Sequence, residues 1–517
     1  MSRGARVRSA IARALWGLAA VALVAAVVVL PPTLPGAPAE PIPPVLVDVP
    51  PGSTVLVCPG TVRLPTEPEE GDDVAYDPQF DPAPGESIAA LGVLTARPSS
   101  DPAARALLTT LAGEQLDQVT PARAAGGGWF DGPEAATVLR ADATGELPPW
   151  LAGSMRVVTA EGDLRGLAAA TCQYPTAESW LVGGGTELGS SARLVLANPG
   201  VTPASVTVRV WGPSGEAELA GAPEYLVPPG SERVVLLEGV AAQQRRIVVQ
   251  TTSSGGAIAA FLQDSLLRGF VSAGIDHVVA GQGPATRQVV PLSVTSSEAD
   301  GLDVAQLRVL APGDEAGTVD VTFIGADGPV DLPGTQVALD PGVVIDIPLG
   351  GLPAGEYVAV VEADVPVVAG GMLTRGQGVG DTRTPAAPMD RAWAASVSVG
   401  SGGPLALPSG AAGVLVLAVP DNTRGGTAVV VEAVGPEGVL AAREYRVRGG
   451  RTLSIPLDDL TAEAADGGSG DELVGLVVRP TDRVAWAVVL LVDGEMVGVL
   501  TPVDPRPAAP QLGVHVR

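Results

Sequence analysis

The apolar pattern of Leu194–Val210 recurs along the chain and organises it. An apolar run there ends in an Asn-Pro-Gly turn at residues 198–200, and a second run then alternates apolar and polar residues strictly. Strict alternation is typical of a β-strand with one buried face, and Pro-Gly signals separate strands. The pattern returns in Leu307–Phe323 and Leu415–Val431, with a shorter form in Val55–Gly60. The sequence therefore predicts four copies of one β unit.

A second set of apolar positions supports the repeat. In the three later copies, a turn rich in proline and glycine leads into a strand whose apolar residues keep fixed offsets. Self-similarity at a fixed period is the signature of a repeat architecture. The matched sets are Val235, Ile347 and Ile455, then Leu237, Leu349 and Leu457, then Val240, Leu352 and Leu460.

The length of the repeat indicates the fold of each copy. The turn prolines Pro199, Pro312 and Pro420 are 113 and 108 residues apart. A unit of that size with six or seven short strands predicts an all-β protein of tandem immunoglobulin-like β-sandwiches, although no Cys…Trp…Cys spacing marks a true immunoglobulin domain. A four-fold propeller is the alternative, with the objection that blades normally have about 40–50 residues. Connecting segments that pair across copies would make the body either a rod or a closed ring, and the sequence does not distinguish between the two.

The copies divide the chain after residue 51 into four parts. Residues 52–172 form a degenerate first copy, with an acidic insert from Glu67 to Asp81 and a predicted helix over Ala103–Leu116. Residues 122–150, which include Gly126-Gly127-Gly128, are predicted to be a loop. The second, third and fourth copies are predicted at residues 173–300, 301–400 and 401–517, the last with a C-terminal tail.

The N-terminal segment predicts a membrane anchor. Residues 1–13 contain four arginines and no acid, and residues 14–30 are an uninterrupted apolar run of 17. A positive flank before such a run places the N-terminus in the cytoplasm and the body outside the cell membrane. Residues 1–30 are therefore predicted to be a basic tip and signal-anchor helix, and residues 31–51, with nine prolines, a spacer. The alternative is a signal peptide cleaved near Ala39, which would release a secreted protein.

Composition and charge narrow the possible partners. The chain has 57 acidic and 31 basic residues, all of the latter arginine, and its net charge is −26. An acidic surface repels nucleic acid and anionic lipid headgroups, so nucleic-acid binding is excluded as a function. Aromatic residues are only 3% of the chain, which argues against a surface built mainly for stacking on sugars or bases.

Candidate catalytic chemistry is sparse. Without lysine there is no Walker lysine and no Schiff base, and the two histidines, His277 and His515, suit no H-E-x-x-H zinc site. Asp276-His277 invites a triad interpretation, but no nucleophile motif accompanies it. Gly183-Gly184-Gly185 and Gly189 lack a phosphate-loop pattern and predict turns or tight packing. We therefore predict no catalytic, cofactor or metal residues, with a carboxylate-based hydrolase as the alternative among so many acids.

The two cysteines are candidates for a disulfide, and three of the tryptophans are candidates for a binding surface. Cys58 ends the first strand of copy one and Cys172 its last, which predicts one disulfide in an exported chain, against the alternative of two free thiols. Trp129, Trp180 and Trp211 are candidates for a binding face, although large aromatics more often fill the interior of a sandwich.

One stretch carries a family resemblance. Residues 172–200, together with the N-terminal segment and Cys58-Pro59-Gly60, resemble an uncharacterised family of actinobacterial exported, membrane-anchored proteins of unknown function. The resemblance implies a cell-envelope location and supplies no catalytic residues. We therefore expect a membrane-anchored scaffold or binding module whose partners are envelope proteins or glycans. The alternatives are an envelope polysaccharide or peptidoglycan hydrolase, or an accessory to a glycosyltransferase or transporter.

Overall fold

The computed structural model of the chain separates into two compact units, residues 51–508 and a small unit of the two termini. It describes residues 14–22, 45–48, 52–64, 85–97, 103–143, 148–295, 304–330, 332–376, 389–421, 425–461, 473–505 and 511–514. The predicted acidic insert from Glu67 to Asp81, the end of the anchor segment, most of the spacer and His515 lie outside these residues.

In the small unit, the described residues form a helix and a pair of strands. Residues 14–22 form helix α1, and β1 (Val45–Asp48) pairs antiparallel with β35 (Gln511–Val514). Among the described residues, no helix has both the length and the apolar character needed to cross a bilayer.

The second copy shows the repeating unit most clearly. Two antiparallel sheets, β10-β16-β12-β13 with β14 beside β12, and β15-β11-β17-β18, enclose a core that includes Leu194, Val208 and Leu262. Its elements are β10 (Glu178–Val182), β11 (Ser190–Asn198), β12 (Ala204–Gly212), β13 (Gly215–Glu216), β14 (Glu224–Val227), β15 (Ser231–Leu236), α2 (Leu237–Val240), β16 (Val248–Ser254), β17 (Ala259–Arg268) and β18 (Val271–Val278).

The other three copies have the same strand order. The first contains β2 (Thr54–Cys58), β3 (Ser87–Ala96), β4 (Ala106–Thr110), β5 (Gln115–Val119), β6 (Ala125–Asp131), β7 (Thr137–Ala141), β8 (Trp150–Thr159) and β9 (Gly166–Thr171). The third contains β19 (Ala285–Val294), β20 (Gln306–Leu310), β21 (Gly317–Gly325), β22 (Gly328–Val330), β23 (Gln336–Leu339), β24 (Ile345–Pro348), β25 (Gly355–Gly376) and β26 (Met389–Ala395). The fourth contains β27 (Gly403–Ala406), β28 (Gly413–Val419), β29 (Thr427–Gly435), β30 (Gly438–Val447), β31 (Arg451–Pro456), α3 (Leu457–Thr461), β32 (Gly475–Pro480), β33 (Ala485–Val492) and β34 (Met496–Leu500).

The all-β prediction is confirmed, and the strand pairing defines the topology. When β13 with β14, and β22 with β23, are each counted as one fourth strand, the first strand of every copy pairs with the sixth and the sixth with the third, while the second lies between the fifth and seventh. An immunoglobulin domain instead pairs its first strand with its second. The third copy fuses its sixth and seventh strands into β25, whose 22 residues run through both sheets. Its first strand, β19, begins before residue 301, the predicted start of this copy.

The repeated register seen in the sequence is present in the sheets. The fifth strand of each later copy pairs with the second strand through the matched apolar positions. The residue pairs are Val235 with Leu194, Ile347 with Leu307, and Ile455 with Leu415.

The four copies of the larger unit close into a ring. Apolar clusters join the facing sheets of copies one and two, two and three, and three and four, and a further cluster containing Leu94 and Val477 joins copy four back to copy one. The last strand of each copy also enters the core of the copy before it. The inserted side chains include Ile275, Trp393, Val499 and Leu167.

The predicted helix over Ala103–Leu116 is wrong, because these residues form β4 and the start of β5. Ala106 and Leu108 alternate into the core of copy one, and Gly113, with φ of +92°, makes the turn between the strands. Alanine and leucine favour helices in isolation, but burial of alternate side chains in a sheet outweighs that propensity.

The predicted loop over residues 122–150 is also wrong, because it contains β6 and β7. Two of the three glycines of β6 lie where another copy approaches the strand closely. A Cβ atom on Gly127 would lie 2.5 Å from Cγ1 of Val474 in copy four, and one on Gly126 would lie 2.8 Å from the Pro436 oxygen. Glycine here permits sheet-to-sheet contact rather than a turn.

Candidate functional site

The main candidate site is a cavity of about 620 Å3 at the junction of copies two and three. It lies where β26 of copy three enters the core of copy two, beside the Gly184–Gly185 turn and the end of β17. Five arginines and two carboxylates, Glu187 and Asp346, are among its lining residues. We call this cavity the arginine pocket and define it by Arg245, Arg246, Arg268, Arg308 and Arg391.

Trp393 of β26 is held rigidly in the wall of the pocket. Its indole Nε1 donates to Oδ2 of Asp264 at 2.7 Å, and its backbone N donates to Oδ2 of Asp276 at 2.6 Å. The guanidinium carbon of Arg308 lies 4.6 Å from the centroid of the indole ring, a cation–π distance. These three contacts leave the ring little freedom to move.

Arg308 is fixed by hydrogen bonds on all sides. Its Nε and Nη2 donate to the two oxygens of Asp346 at 2.8 and 3.1 Å, a bidentate ion pair. Its Nη1 donates to the carbonyls of Gly184 and Ile247 at 2.6 and 3.1 Å. Arg308 therefore has its charge neutralised and acts mainly in holding the wall together.

The five arginines of the pocket outnumber the three carboxylates beside them, and Arg391 and Arg268 lie near each other. Nη2 of Arg391 lies 2.7 Å from Oδ2 of the fully buried Asp264, but its buried Nε has no hydrogen-bond partner within the described part of the chain. Burial lowers the pKa of Arg268, and the nearby charge of Arg391 lowers it further. Two guanidinium groups close enough to repel each other create a site that favours an anion.

The glycine-rich stretch borders this pocket, and two of its residues pack tightly against neighbours. A Cβ on Gly183 would lie 2.7 Å from Cδ2 of Trp393, and one on Gly189 would lie 2.4 Å from the Leu267 oxygen. Gly184 and Gly189 also have φ of +82° and +88°, a region that favours glycine. These glycines allow the turn to pass close to the tryptophan.

Two of the three candidate aromatics lie in an interface between copies. Trp180 and Trp211 are 4% and 1% exposed, and their rings stack with centroids 5.3 Å apart between copies two and three. Trp129 is half-buried and lines an open cleft of about 610 Å3 with Phe130. Its Nε1 donates to the Leu407 carbonyl of copy four at 3.0 Å.

Asp276 and His277 do not face each other. They are successive residues of β18, so their side chains leave opposite faces of the sheet. Asp276 accepts from the backbone N of Ala169 and of Trp393, whereas His277 lies beside Gly60 and Arg193. Burial, and secondarily the charge of Arg193, lowers the pKa of His277 to about 4, so the imidazole is neutral at pH 7.

A second buried carboxylate, Asp390, joins the last strands of the copies. Its Oδ2 accepts from the backbone N of Leu167 in copy one and of Val497 in copy four, both at 3.0 Å. Those N–H groups lie on the free edges of β9 and β34, and buried edge groups need an acceptor. Burial raises the pKa of Asp390 to about 7 and raises that of Asp276 well above its ordinary range.

The predicted disulfide is present. Cys58 and Cys172 are bonded, both are fully buried, and their separation of 114 residues spans the first copy. The bond joins the end of β2 to the residue after β9, the first and last strands of that copy.

The sequence pattern does not predict that the arginines of the pocket come together. They come from four separate places in the chain, and only the packing of copy three on copy two brings them together. One local signal exists, since Arg245-Arg246 is the only pair of adjacent basic residues in an acidic chain. A clustered pair of this kind indicates a local positive patch.

Comparison with known proteins adds a family. No curated protein matches this sequence. A family model described as a family of unknown function, DUF5719, matches residues 131–458, a range that contains all five arginines of the pocket. The chain therefore belongs to the DUF5719 family.

Proposed function

We propose that the protein is a non-catalytic binding module of the cell envelope, tethered to the membrane by its N-terminal segment, and that the arginine pocket binds an anionic ligand. The observation that carries the proposal is the convergence of five arginines on one cavity in a chain of net charge −26. Guanidinium groups recognise phosphate and carboxylate through charge-assisted hydrogen bonds, frequently two at a time.

The structure around the pocket supports binding rather than catalysis. Asp264 and Asp346 both hold arginines, and the closed ring fixes the strands that carry them. A cavity of about 620 Å3 falls in the range of small-ligand sites, which are usually preformed on rigid elements.

Titration calorimetry of the full chain with inorganic phosphate tests the binding site. Arg246→Ala removes a half-buried pocket arginine whose Nε has no hydrogen-bond partner within the described residues, and we expect it to weaken phosphate binding about tenfold or more. Arg233→Ala, at an exposed arginine of the same copy, is the matched control and should bind like the parent protein. Absence of phosphate binding, or equal loss in both variants, would overturn the proposal.

The envelope location is supported by the basic and apolar N-terminal pattern and by the Cys58–Cys172 disulfide. Disulfides of this kind persist in oxidising compartments outside the cytoplasm. Protease shaving of intact cells tests it. We expect a membrane-retained peptide that contains residues 14–30 and continues into the spacer, whereas a mature chain beginning near Ala39 in the medium would show a secreted protein.

A further inference from the structure

The rim of the arginine pocket presents two exposed apolar side chains. Leu188, one of the lining residues, is 92% exposed, and Phe270, which follows the lining residue Gly269, is 88% exposed. Single exposed apolar residues are ordinary, but large ones grouped at a cavity mark interaction sites.

The two side chains lie on neighbouring turns at one end of the same sheet. The turn before β11 carries Leu188, and the β17–β18 turn carries Phe270. The backbone N of Leu267 donates to the carbonyl of Gly189 at 2.7 Å, which fastens the first turn to the strand that leads into the second. Leu188 and Phe270 therefore lie on two neighbouring turns at the edge of the pocket.

The net negative charge of the chain does not oppose an anion at this edge. At physiological ionic strength the Debye length is about 8 Å, so exposed charges farther away are largely screened. The charges nearest the edge are the five pocket arginines and the single carboxylate of Glu187, so positive charge is in excess there, and basic residues near an anionic lipid surface each strengthen binding measurably. The general repulsion of anionic headgroups expected from composition therefore need not apply at the pocket.

Resting on the proposed function, we propose that the ligand of the arginine pocket is the phosphate headgroup of a membrane lipid, with Leu188 and Phe270 contacting its apolar chains. The arginines match the charge of the headgroup, and the exposed leucine and phenylalanine match the hydrocarbon. Neither feature alone indicates a lipid, because a soluble phosphate would not need the apolar rim and a protein groove would not need five arginines.

A fluorophore at the rim tests this proposal in the full chain. Both native cysteines are buried in the disulfide, so Leu188→Cys can be labelled selectively with an environment-sensitive dye. Val201→Cys, at a residue of the same copy that is 93% exposed and follows the opposite end of β11 from Leu188, is the matched control. Vesicles of phosphatidylcholine alone are compared with vesicles that also contain phosphatidic acid, and the apolar N-terminal segment acts alike in both labelled proteins.

We expect a blue shift of the dye at residue 188 with phosphatidic acid vesicles, little shift with phosphatidylcholine, and none at residue 201. Arg246→Ala in the Leu188→Cys protein should abolish the shift, and Phe270→Ser should reduce apparent vesicle affinity about tenfold. Phosphate binding by calorimetry with no lipid-dependent shift at residue 188 would overturn the lipid ligand and leave the anion site standing. Loss of phosphate binding as well would overturn both.

Discussion

At the scale of single residues, the site depends on a few contacts that only close packing makes possible. Trp393 is held by Asp264, Asp276 and Arg308, and Gly183 lies against its ring. A residue larger than glycine at position 183 has no room, because the nearest ring atom would be 2.7 Å from its Cβ. The packing role predicted for this glycine-rich stretch agrees with that geometry.

Gly183→Ala should destabilise the protein by about 1–3 kcal/mol, the usual cost of overpacking a well-filled core. The free energy of unfolding in urea measures this. Gly283→Ala is the control, since a Cβ there meets no atom within 4 Å and its φ is ordinary. Equal stability of the two variants would show that Trp393 moves aside freely.

Asp390 should give the protein a stability that falls as pH rises. Its pKa is about 7 in the folded protein against an ordinary 3.8, so between those values the folded state keeps a proton that the unfolded chain has lost. The contribution is full below about pH 4 and is lost as pH rises to about 7, by up to about 4 kcal/mol. Unfolding free energies at several pH values should show this decline in the parent protein and a weaker one in Asp390→Asn.

His277 should give the protein a stability that rises as pH rises. Its pKa of about 4 lies below the ordinary 6.5, so the unfolded chain takes up a proton that the folded protein refuses. Stability from this residue is full above about pH 6.5 and is lost as pH falls toward 4. Relative to the parent, His277→Gln should lose less stability on acidification, and an unchanged pH profile would contradict the buried, neutral imidazole.

At the scale of elements, two segments of copy one form strands although their local sequence favours a helix or a loop. Residues 103–116 are rich in alanine and leucine, yet they form β4 and the start of β5. In β4 the side chains of Ala106 and Leu108 are buried in the core. Gly126 and Gly127 form part of β6, where copy four approaches closely and leaves no room for a Cβ atom. In both places the decisive partner is far away in the sequence, so no local pattern reveals it.

The disulfide fastens the first strand of copy one to its last. Replacing Cys58 and Cys172 by alanine should cost about 5 kcal/mol in the chain-entropy estimate for a loop of this length, and somewhat more if the cavity does not collapse. Urea unfolding of the parent and of the double variant measures the difference. The parent treated with a reductant and no denaturant should resist reduction, since both sulfurs are fully buried; rapid reduction would contradict that burial.

At the scale of the larger unit, ring closure makes each copy depend on its neighbours. Each last strand fills part of the preceding core, and Asp276 and Asp390 bind N–H groups of other copies. Blade length is no longer an argument against a propeller, because the strands of each copy are divided between two sheet layers rather than forming one.

A variant at the seam between copies one and four should therefore destabilise the whole ring together. A Cβ on Gly92 would lie 2.3 Å from the Leu407 oxygen, so Gly92→Ala should lower the denaturation midpoint while far-UV circular dichroism and tryptophan fluorescence still change together. Gly313→Ala, where a Cβ meets nothing within 4 Å, is the control. Two separate transitions in the Gly92 variant would show that copies unfold independently, as in a linear repeat array.

Local periodicity in the sequence predicts an all-β chain, a repeat of about 110 residues and the register of the fifth strands, and the two cysteines at strand ends predict the disulfide. Alternating burial and turn signals repeat wherever the same unit repeats, so they can be read along one chain. The tertiary structure decided the strand order, the closure of the ring and the arginine pocket. Those features depend on contacts between residues that are distant in the sequence, and on the requirement that buried charges and free strand edges find partners there.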